Sequence, residues 1–559
     1  MRDVTDLTVI IPTYNRAGDL RRCLDALALQ TAPPESFEVV VVDDGSTDDT
    51  PALLASYDAP YRLVVERQSN RGQPAALNRG LSVAAAAHCL FLDDDVVAAQ
   101  ELVAEHARAQ AELGGAIVLG SLTLDVQRTR SGLTRHFSDW WATHYERLDE
   151  GVREPDFWSC YSGNLSAPTA ALRAASGFDE NLPRSFDIEL AYRLVSSGLR
   201  IAYRPAAQGE QRYEKGFRKI VRDFDRVGEA AALLYERHPK LAEYPPLGDF
   251  SESGSRRALL RRALLALHVP VWPLGLVDPL LARRPPRQLY DLLQAYCFWR
   301  GLRRRLDRDT WRGLTKATLI LTYHAVARPG ERASRFVVTQ RRLKRQLAWL
   351  RFRRRPVLSL DEYVELRREH RLPPARSVVL TFDDGYADVE QFALPILRSL
   401  EFPAALFLVS GAMGDANRWD SDGVLAGREV LAWEDAAALP DAGVTLGAHT
   451  ESHARLTDVE PERAEDEIRG SRARLEEELG PIRHFSYPYG KTSESLAEIV
   501  AAAGFDTACS SEPGTNGPAV PLYNLRRLEV FGTWPLARFA VAIWLTQPLF
   551  KPRPRPPRL

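Results

Sequence analysis

Apolar runs and amphipathic segments alternate along the first part of the chain. Consecutive apolar residues predict strands at 8–12, 37–42, 62–66 and 88–92, and apolar positions at helical spacing predict helices at 17–30, 49–57 and 73–86. Strands that alternate with helices are typical of a parallel, doubly wound α/β sheet. Because ligands bind beyond the carboxyl ends of the strands in such sheets, we expect a functional site there.

The alternation resumes at Leu319 after a less regular stretch. Strands are predicted within 319–326, 377–382, 403–409 and 444–450, with a strand end at 484–490, and helices at 386–400, 461–479 and 493–503. Repeated strand–helix units suggest a (β/α) barrel, in which the chemistry lies at the carboxyl ends of the strands.

The chain of 559 residues is too long for one hydrophobic core, so two large α/β domains are expected. We predict a first domain at 1–240, a basic and partly apolar helical linker at 241–315, a second domain at 316–545, and a basic, proline-rich tail at 546–559. A content of 45% hydrophobic and 26% charged residues agrees with globular domains.

Residues 256–316 carry 14 Lys and Arg but only 4 Asp and Glu. Within this stretch, residues 263–282 are apolar but interrupted by three prolines and Asp278, so we expect no simple membrane-spanning helix. Two interpretations stay open: an interfacial or re-entrant segment on an anionic membrane leaflet, or a buried helical linker with a solvated basic face. No nucleic-acid recognition motif accompanies the arginines, so we expect no nucleic-acid partner.

The cysteines are odd in number and scattered, without a C-x-x-C pair, which argues against a disulfide framework and favours a reducing compartment. The N-terminal residues show no signal-peptide apolar region. We therefore expect a cytoplasmic protein, with the basic linker as a candidate contact to the inner face of the membrane.

Acidic residues follow two of the predicted strands in the first half: Asp43 and Asp44 after one, and 93–95, "DDD", after another. A D-x-D sequence at a strand end can place two oxygens on a divalent ion that also holds a diphosphate, and Mg²⁺ and Mn²⁺ prefer such ligands. Acidic strand ends also serve as turns or helix caps.

Seven short motifs occur in a fixed order in the first half: "VIIPTYNR", "VVDDGSTDDT", "NRGQPAALNRG", "LFLDDD", "SGNLSAP", "GFDE" and "FDIELAYRL". Over residues 5–235 they resemble the inverting, Rossmann-like family 2 glycosyltransferases. The resemblance implies a nucleotide-sugar pocket lined by Pro12, Tyr14, Asp43, Asp44 and Asp93, an Mg²⁺ or Mn²⁺ ion held by Asp93 and Asp95, and Asp187 as the base that deprotonates the acceptor hydroxyl.

This sequence departs from that family's pattern at two places. Phe186 replaces the glutamate that usually precedes the basic aspartate, and Glu189 is a nearby alternative carboxylate. The stretch 204–215 has no histidine where many relatives carry one near the metal. The Q-x-x-R-W pattern of processive synthases is also missing, so we expect transfer of a single sugar.

In the second half, Asp383 and Asp384 follow a predicted strand, and "HTESH" places His449 and His453 four residues apart. Two imidazoles and one carboxylate form a ligand set suited to zinc, with an open position for water. An H-x-x-x-H sequence alone is also common without a metal, and it is the preceding Asp pair that supports a site.

"YHAV", "TFDDG", "HTESH" and "FSYPYG" resemble the polysaccharide deacetylase (NodB-homology) family over residues 316–535. The resemblance implies a distorted (β/α) barrel that removes acetyl groups from sugars. It also implies roles for single residues: Asp384, His449 and His453 as ligands of Zn²⁺ or a similar ion, Asp383 as the base that activates water, and the backbone N–H of Tyr489 as an oxyanion donor.

The family's arginine that orients the base is replaced by Ser486, and "LRRLEV" stands where a late histidine is usual, so we expect neither group here. Both changes resemble the branch that deacetylates poly-N-acetylglucosamine-like substrates, whose acid comes from an early Y-H motif. His324 is then the general acid; the alternative is a buried structural histidine.

Together the two halves predict a bifunctional enzyme of envelope polysaccharide or glycolipid synthesis. A nucleotide sugar, with UDP-N-acetylglucosamine as the natural guess, would donate to a saccharide or lipid-linked saccharide acceptor, and an acetyl group would then be hydrolysed. The alternative is a membrane-surface scaffold that binds sugar and in which only one domain is active.

Overall fold

A computed structural model describes residues 6–245, 247–250, 256–420 and 423–546. These residues form two units, the first with residues 6–234 and 264–305, the second with the remainder. The segment predicted as a linker, 241–315, is therefore divided between the two units. The predicted tail lies outside the described residues, apart from its first residue.

The strands in the described part of the chain are β1 Leu7–Thr13, β2 Phe37–Asp43, β3 Arg62–Arg67, β4 His88–Leu92, β5 Val96–Ala98, β6 Ile117–Asp125, β7 Asn164–Pro168, β8 Ile201–Arg212, β9 Leu319–Tyr323, β10 Ala325–Val326, β11 Val337–Val338, β12 Val357–Leu358, β13 Val378–Phe382, β14 Ala404–Leu408, β15 Val444–Ala448, β16 His484–Ser486, β17 Thr507–Cys509 and β18 Arg527–Glu529.

The α-helices in the same residues are α1 Ala17–Leu27, α2 Thr50–Ser56, α3 Gln73–Val83, α4 Leu102–Leu113, α5 Gly132–Asp149, α6 Thr169–Ala174, α7 Phe186–Ser196, α8 Phe217–Arg237, α9 Arg256–Leu267, α10 Trp272–Leu281, α11 Arg287–Arg305, α12 Arg308–Thr315, α13 Gln340–Phe352, α14 Leu360–Arg368, α15 Leu394–Leu400, α16 Trp433–Ala437, α17 Pro461–Leu479, α18 Glu494–Ala502 and α19 Leu536–Thr546. Among the helices described, none has both the length and the hydropathy to cross a bilayer.

The first unit is built on an eight-stranded sheet of order β3-β2-β1-β4-β7-β6-β8-β5. The four strands predicted from the sequence, β1 to β4, lie side by side and parallel. The outer half is mixed, because β7 runs antiparallel to both β4 and β6, an extension that is common on parallel sheets. The α/β class is confirmed, and the carboxyl ends of β1, β2 and β4 share one edge.

Helix α1 shows why the amphipathic segments fold onto this sheet. Its buried residues are Leu20, Cys23, Leu24 and Leu27, which recur at helical spacing and form one apolar face. The same face packs in a core with the apolar side chains of β1 and β2. The helix thus covers the sheet and leaves the carboxyl edge of the strands open.

The second unit contains a parallel sheet of order β17-β16-β15-β14-β13-β9-β18, with β12 beside β13. The two ends of this order meet, since Cys509 at the end of β17 pairs with Leu525, just before β18. The sheet therefore closes into the distorted (β/α) barrel that the sequence predicts. The predicted helix at 386–400 is a π-turn over Val389–Ala393 that continues as α15.

Two candidate active sites

The first unit has a cavity of about 780 Å³ at the carboxyl edge of its sheet. Of the residues predicted from the sequence, the cavity wall includes Pro12, Tyr14, Asp44, Asp93, Asp95 and Asp187. A cavity of this size can enclose most of a nucleotide-sized ligand.

Three acidic side chains converge where β4 ends. The Gln211 Nε2 amide donates to Asp93 Oδ2 at 3.2 Å and to Asp95 Oδ1 at 2.9 Å. The Arg16 guanidinium donates to Asp94 at 2.9 Å and to Asp95 at 2.6 Å. Since one nitrogen reaches both Asp93 and Asp95, a divalent cation near that position could contact both carboxylates.

The charge balance of this cluster also fits a cation. Burial raises the pKa of Asp93 to about 7, and the charges of Asp95 and Asp94 add to that rise against the opposing effect of Arg16. Burial likewise raises the pKa of Asp94 to about 6, although Arg16 works in the opposite direction. One guanidinium does not neutralise three carboxylates, so the cluster favours a further positive charge.

The predicted nucleoside residues fall into two groups. Pro12, exposed Tyr14 and Asp44 line the cavity. Asp44 also accepts the backbone N–H groups of Arg71 at 2.9 Å and Gly72 at 2.8 Å. It therefore fixes the loop before α3 as well as facing the cavity.

Asp43 does not line the cavity. It is buried at the end of β2, where its carboxylate accepts the backbone N–H of Ser46 at 2.8 Å and lies 3.3 Å from the Arg67 guanidinium. This geometry gives Asp43 the role of holding the turn after β2.

Asp187 lies in the first turn of α7 and faces the cavity. Its carboxylate accepts the backbone N–H of Ser162 at 3.2 Å, and the next residue, Gly163, lies against Asp93. Burial raises the pKa of Asp187, although these amide hydrogen bonds oppose the rise. A carboxylate with a raised pKa is a stronger base, so its position and environment suit proton abstraction.

The alternative carboxylate, Glu189, is directed elsewhere. Its buried side chain pairs with Arg193 one helical turn later, at 2.7 Å, and it is not part of the cavity wall. Of the two candidates on α7, only Asp187 reaches the site.

Sequence reasoning missed the polar groups that hold the acidic cluster. Gln211 stands in the stretch 204–215, which has no histidine, and its amide lies beside Asp93 and Asp95. Arg184 and Lys215, both 2.8 Å from Asp223, add positive charge to the cavity wall. Only the position of Gln211 in that stretch gave a signal in the sequence.

The second unit brings together the three predicted metal ligands. Asp384 follows β13, and His449 and His453 follow β15. Their candidate ligand atoms all lie within 4.8 Å of one another, and the three side chains are buried. In the part of the chain that the structure describes, this is the one such group of three found.

Hydrogen bonding prepares His449 to act as a ligand. Its Nδ1 lies 2.7 Å from the Ser486 carbonyl oxygen, which can only accept, so Nδ1 carries the hydrogen and Nε2 faces Asp384. Although burial acts to raise it, the two imidazoles hold the pKa of Asp384 well below its usual value. An ionised carboxylate and two imidazoles are the donor set that zinc prefers.

The backbone is strained around this group. Asp384, Thr450, His453 and Tyr489 have φ angles of 72°, 65°, 61° and 57°, in the left-handed region that non-glycine residues rarely adopt. Each such residue costs about 1–3 kcal/mol and persists where the surroundings impose it. Their concentration at one place agrees with a functional site.

Asp383 is held by an arginine that the sequence analysis did not expect. The Arg527 guanidinium donates to both Asp383 oxygens at 2.8 Å and to the Ser486 hydroxyl at 3.0 Å. The expectation that the orienting arginine is missing is therefore wrong. Arg527 lies on β18, whose neighbour β9 lies beside β13, and its guanidinium contacts the small Ser486 side chain.

This pairing keeps Asp383 ionised. Burial acts to raise its pKa, but the charge and hydrogen bonds of Arg527, with smaller effects from His449 and His324, lower it overall. A fixed, ionised carboxylate beside the ligand group can accept a proton.

His324 and Tyr489 complete the predicted set. His324 directly follows β9 and is only partly buried, with its ring edge-on to Phe336 at 5.0 Å. The Tyr489 ring is 43% exposed, contacts the His453 ring at 4.8 Å and lies under the Arg455 guanidinium. Both residues border the ligand group.

A further aromatic residue, Trp419, stacks on the His453 ring at 4.8 Å and an interplanar angle of 28°. No pattern in the sequence indicated it. The stacking of Trp419 helps to orient the His453 ring, whose backbone is in the left-handed region.

Each half of the chain matches a known family model. Residues 8–172 match the model of glycosyl transferase family 2, and residues 370–508 match that of polysaccharide deacetylase. A validoxylamine A glucosyltransferase of Streptomyces hygroscopicus subsp. limoneus is 32% identical over 267 residues, which cover 42% of this chain. The match spans only 57% of that relative's length.

Two solved structures are similar to part of this chain. IcaB from Ammonifex degensii is 25% identical, with a TM-score of 0.36, and covers 41% of this chain and 97% of its own. The Streptococcus pyogenes deacetylase PplD, solved with acetate, is 20% identical, with a TM-score of 0.35, and covers 41% of this chain and 98% of its own.

Proposed function

We propose that this chain is a bifunctional enzyme, because residues 8–172 match the model of glycosyl transferase family 2 and residues 370–508 match that of polysaccharide deacetylase. One unit transfers a sugar from a nucleotide-sugar donor, and the other hydrolyses acetyl groups on a sugar. The observation that carries the proposal is the buried Asp384–His449–His453 group beside the Asp383–Arg527 pair.

The donor we propose is UDP-N-acetylglucosamine, and the setting is envelope polysaccharide or glycolipid synthesis. An N-acetyl group on the transferred sugar would make the product of the first reaction a substrate for the second. The acceptor is then a saccharide or a lipid-linked saccharide.

In the transfer, Asp187 takes the proton of the acceptor hydroxyl as that oxygen attacks the anomeric carbon, and the bond to the diphosphate breaks with inversion. The raised pKa of Asp187 supports this role, because a stronger base removes the proton more readily. Asp93 and Asp95 would hold Mg²⁺ or Mn²⁺, which neutralises the leaving diphosphate when bound.

In the hydrolysis, Asp384, His449 and His453 would hold Zn²⁺ or a similar ion, which polarises the acetyl carbonyl and acidifies water when bound. Asp383, ionised and oriented by Arg527, takes the proton of the attacking water. The backbone N–H of Tyr489 stabilises the oxyanion. His324 gives a proton to the leaving nitrogen, so that acetate and an amine are released.

The transferase is tested with UDP-N-acetylglucosamine and saccharide acceptors in the presence of Mn²⁺. Asp187→Asn should lower the transfer rate by about 10²–10⁴-fold, the usual contribution of a general base, while donor binding is retained. Glu189→Gln is not a neutral control because of its buried pair with Arg193, so Glu35→Gln, at an exposed position of the same unit, serves instead. Full transfer by the Asp187→Asn protein would reject the assignment.

The deacetylase is tested by acetate release from N-acetylglucosamine oligosaccharides. Chelators should abolish release and Zn²⁺ should restore it. His324→Ala should leave metal content unchanged and lower turnover, whereas His370→Ala, a change at a partly exposed histidine paired with Glu243, should affect neither. Absence of both donor cleavage and acetate release would favour the alternative of a sugar-binding scaffold.

A further inference from the structure

Helix α10 presents its apolar side chains to solvent. Trp272, Leu276 and Leu280 recur every four residues and are 62%, 68% and 80% exposed. Val277, beside them, is 43% exposed. Residues at this spacing lie on one face of a helix, so they form a continuous apolar stripe.

The opposite face of α10 is fixed to the first unit by its one carboxylate. Asp278 is 1% exposed and accepts the backbone N–H of Leu133, in the first turn of α5, at 2.9 Å. The Tyr290 hydroxyl donates to the same oxygen at 2.7 Å. Gly275 lies against the Phe217 ring so closely that a Cβ would be 2.8 Å from it.

This arrangement reverses the usual one. A surface helix normally buries its apolar stripe and exposes its carboxylates. Here the carboxylate is satisfied inside, where it caps α5, and the anchoring on that face keeps Trp272, Leu276 and Leu280 outside. An apolar stripe held outward in this way marks a surface for another apolar phase or molecule.

The charges next to the stripe identify its partner. Arg283 and Arg284 follow α10 directly and are exposed, and no carboxylate among the described residues lies within 4 Å of either. Arg287 is also exposed, with Asp139 only at 3.8 Å. A tryptophan and leucines followed by exposed arginines are typical of a helix that lies in the interface of an anionic bilayer.

We propose that α10, with Arg283, Arg284 and Arg287, docks the first unit on an anionic membrane surface. The apolar stripe enters the boundary between headgroups and acyl chains, and the three guanidinium groups contact lipid phosphates. This goes beyond the proposed catalytic function and does not depend on it.

The test is cosedimentation of the full chain with vesicles of phosphatidylcholine alone or of an equal mixture with phosphatidylglycerol. The wild-type protein should bind the mixed vesicles at least about ten-fold more tightly than the neutral ones. Leu276→Asp combined with Leu280→Asp should reduce binding to the mixed vesicles by at least about ten-fold. Leu29→Asp is the matched control, because Leu29 is a 65% exposed leucine elsewhere in the same unit.

Arg283→Gln combined with Arg284→Gln should weaken binding to the mixed vesicles and reduce its salt dependence. Circular dichroism of each variant shows whether the fold is retained. Equal binding of the wild type and the Leu276→Asp/Leu280→Asp protein would overturn the proposal. So would a wild-type dimer in sedimentation equilibrium that this variant converts to a monomer without lipid, since the stripe would then contact a second copy.

Discussion

At the scale of single residues, local sequence patterns predict some members of the second unit's site but not others. The sequence predicts Asp384, His449 and His453 because an Asp pair and an H-x-x-x-H motif follow predicted strands, and parallel strands in one barrel bring their carboxyl ends together. Arg527 was not, because its contact with Asp383 depends on β18 lying next to β9, two strands from where the family's arginine would stand. The order of the strands is set by the closed barrel, and no local sequence pattern around position 527 indicates it.

Arg527→Lys tests whether this pair orients the base. A lysine cannot replace the two parallel hydrogen bonds of a guanidinium, so kcat for deacetylation should fall by about 10–100-fold. The lysine keeps the positive charge, but the hydrogen bonds of Arg527 also lower the pKa of Asp383, so their loss should raise that pKa and move the acidic limb of the pH–rate profile to higher pH. Arg526→Lys is the matched control, and a profile identical to the wild type would reject the role.

In the first unit, the raised pKa of Asp93 predicts how metal binding depends on pH. A pKa of about 7 means that Asp93 binds a proton as the pH falls through that value, and the proton competes with a cation. The affinity for Mn²⁺ and UDP should therefore decrease by about ten-fold between about pH 8 and about pH 6. Calorimetry at the two pH values measures this, and Asp93→Asn should remove most of the pH dependence.

At the scale of elements, the positions of strands and helices were predicted well where the pattern is regular. Helix α17 has the predicted bounds, Pro461–Leu479, because a proline begins it and a glycine follows it. The sequence pattern does not predict which face of α10 is buried. A helix with Asp278 inside and leucines outside has the opposite pattern to a helix that packs on a core. The hydrogen bonds of Asp278 and the packing of Gly275 on Phe217 determine which face is buried.

Asp278→Ala tests this anchor. The Leu133 N–H and the Tyr290 hydroxyl would lose a buried acceptor, so the free energy of unfolding of the first unit should fall by about 1–3 kcal/mol. Urea unfolding of the full chain measures the change, and Glu35→Ala, which alters an exposed carboxylate of the same unit, serves as the control. Equal stability of the two variants would show that the contact with α5 does not contribute to the free energy of unfolding.

At the scale of the whole molecule, two similar D-D-G turns serve different purposes because of the sheets in which they lie. Asp43 and Asp44 hold loops around a nucleotide-sized cavity, while Asp383 and Asp384 stand beside two histidines in a closed barrel. In the sequence, only the motifs that follow each turn distinguish the two. The tertiary structure gives the physical reason for their different roles.

A substitution in one site should leave the activity of the other site intact, since the side chains of each site come from one unit. Asp95→Asn removes a carboxylate next to Gln211 and should abolish transfer while acetate release stays within about two-fold of the wild type. Asp384→Asn removes one of three ligands, so the protein should lose one bound metal ion and its deacetylase activity but keep transfer. Metal analysis and both assays on the two variants check this, and loss of both activities in either single variant would mean that the two reactions depend on one another.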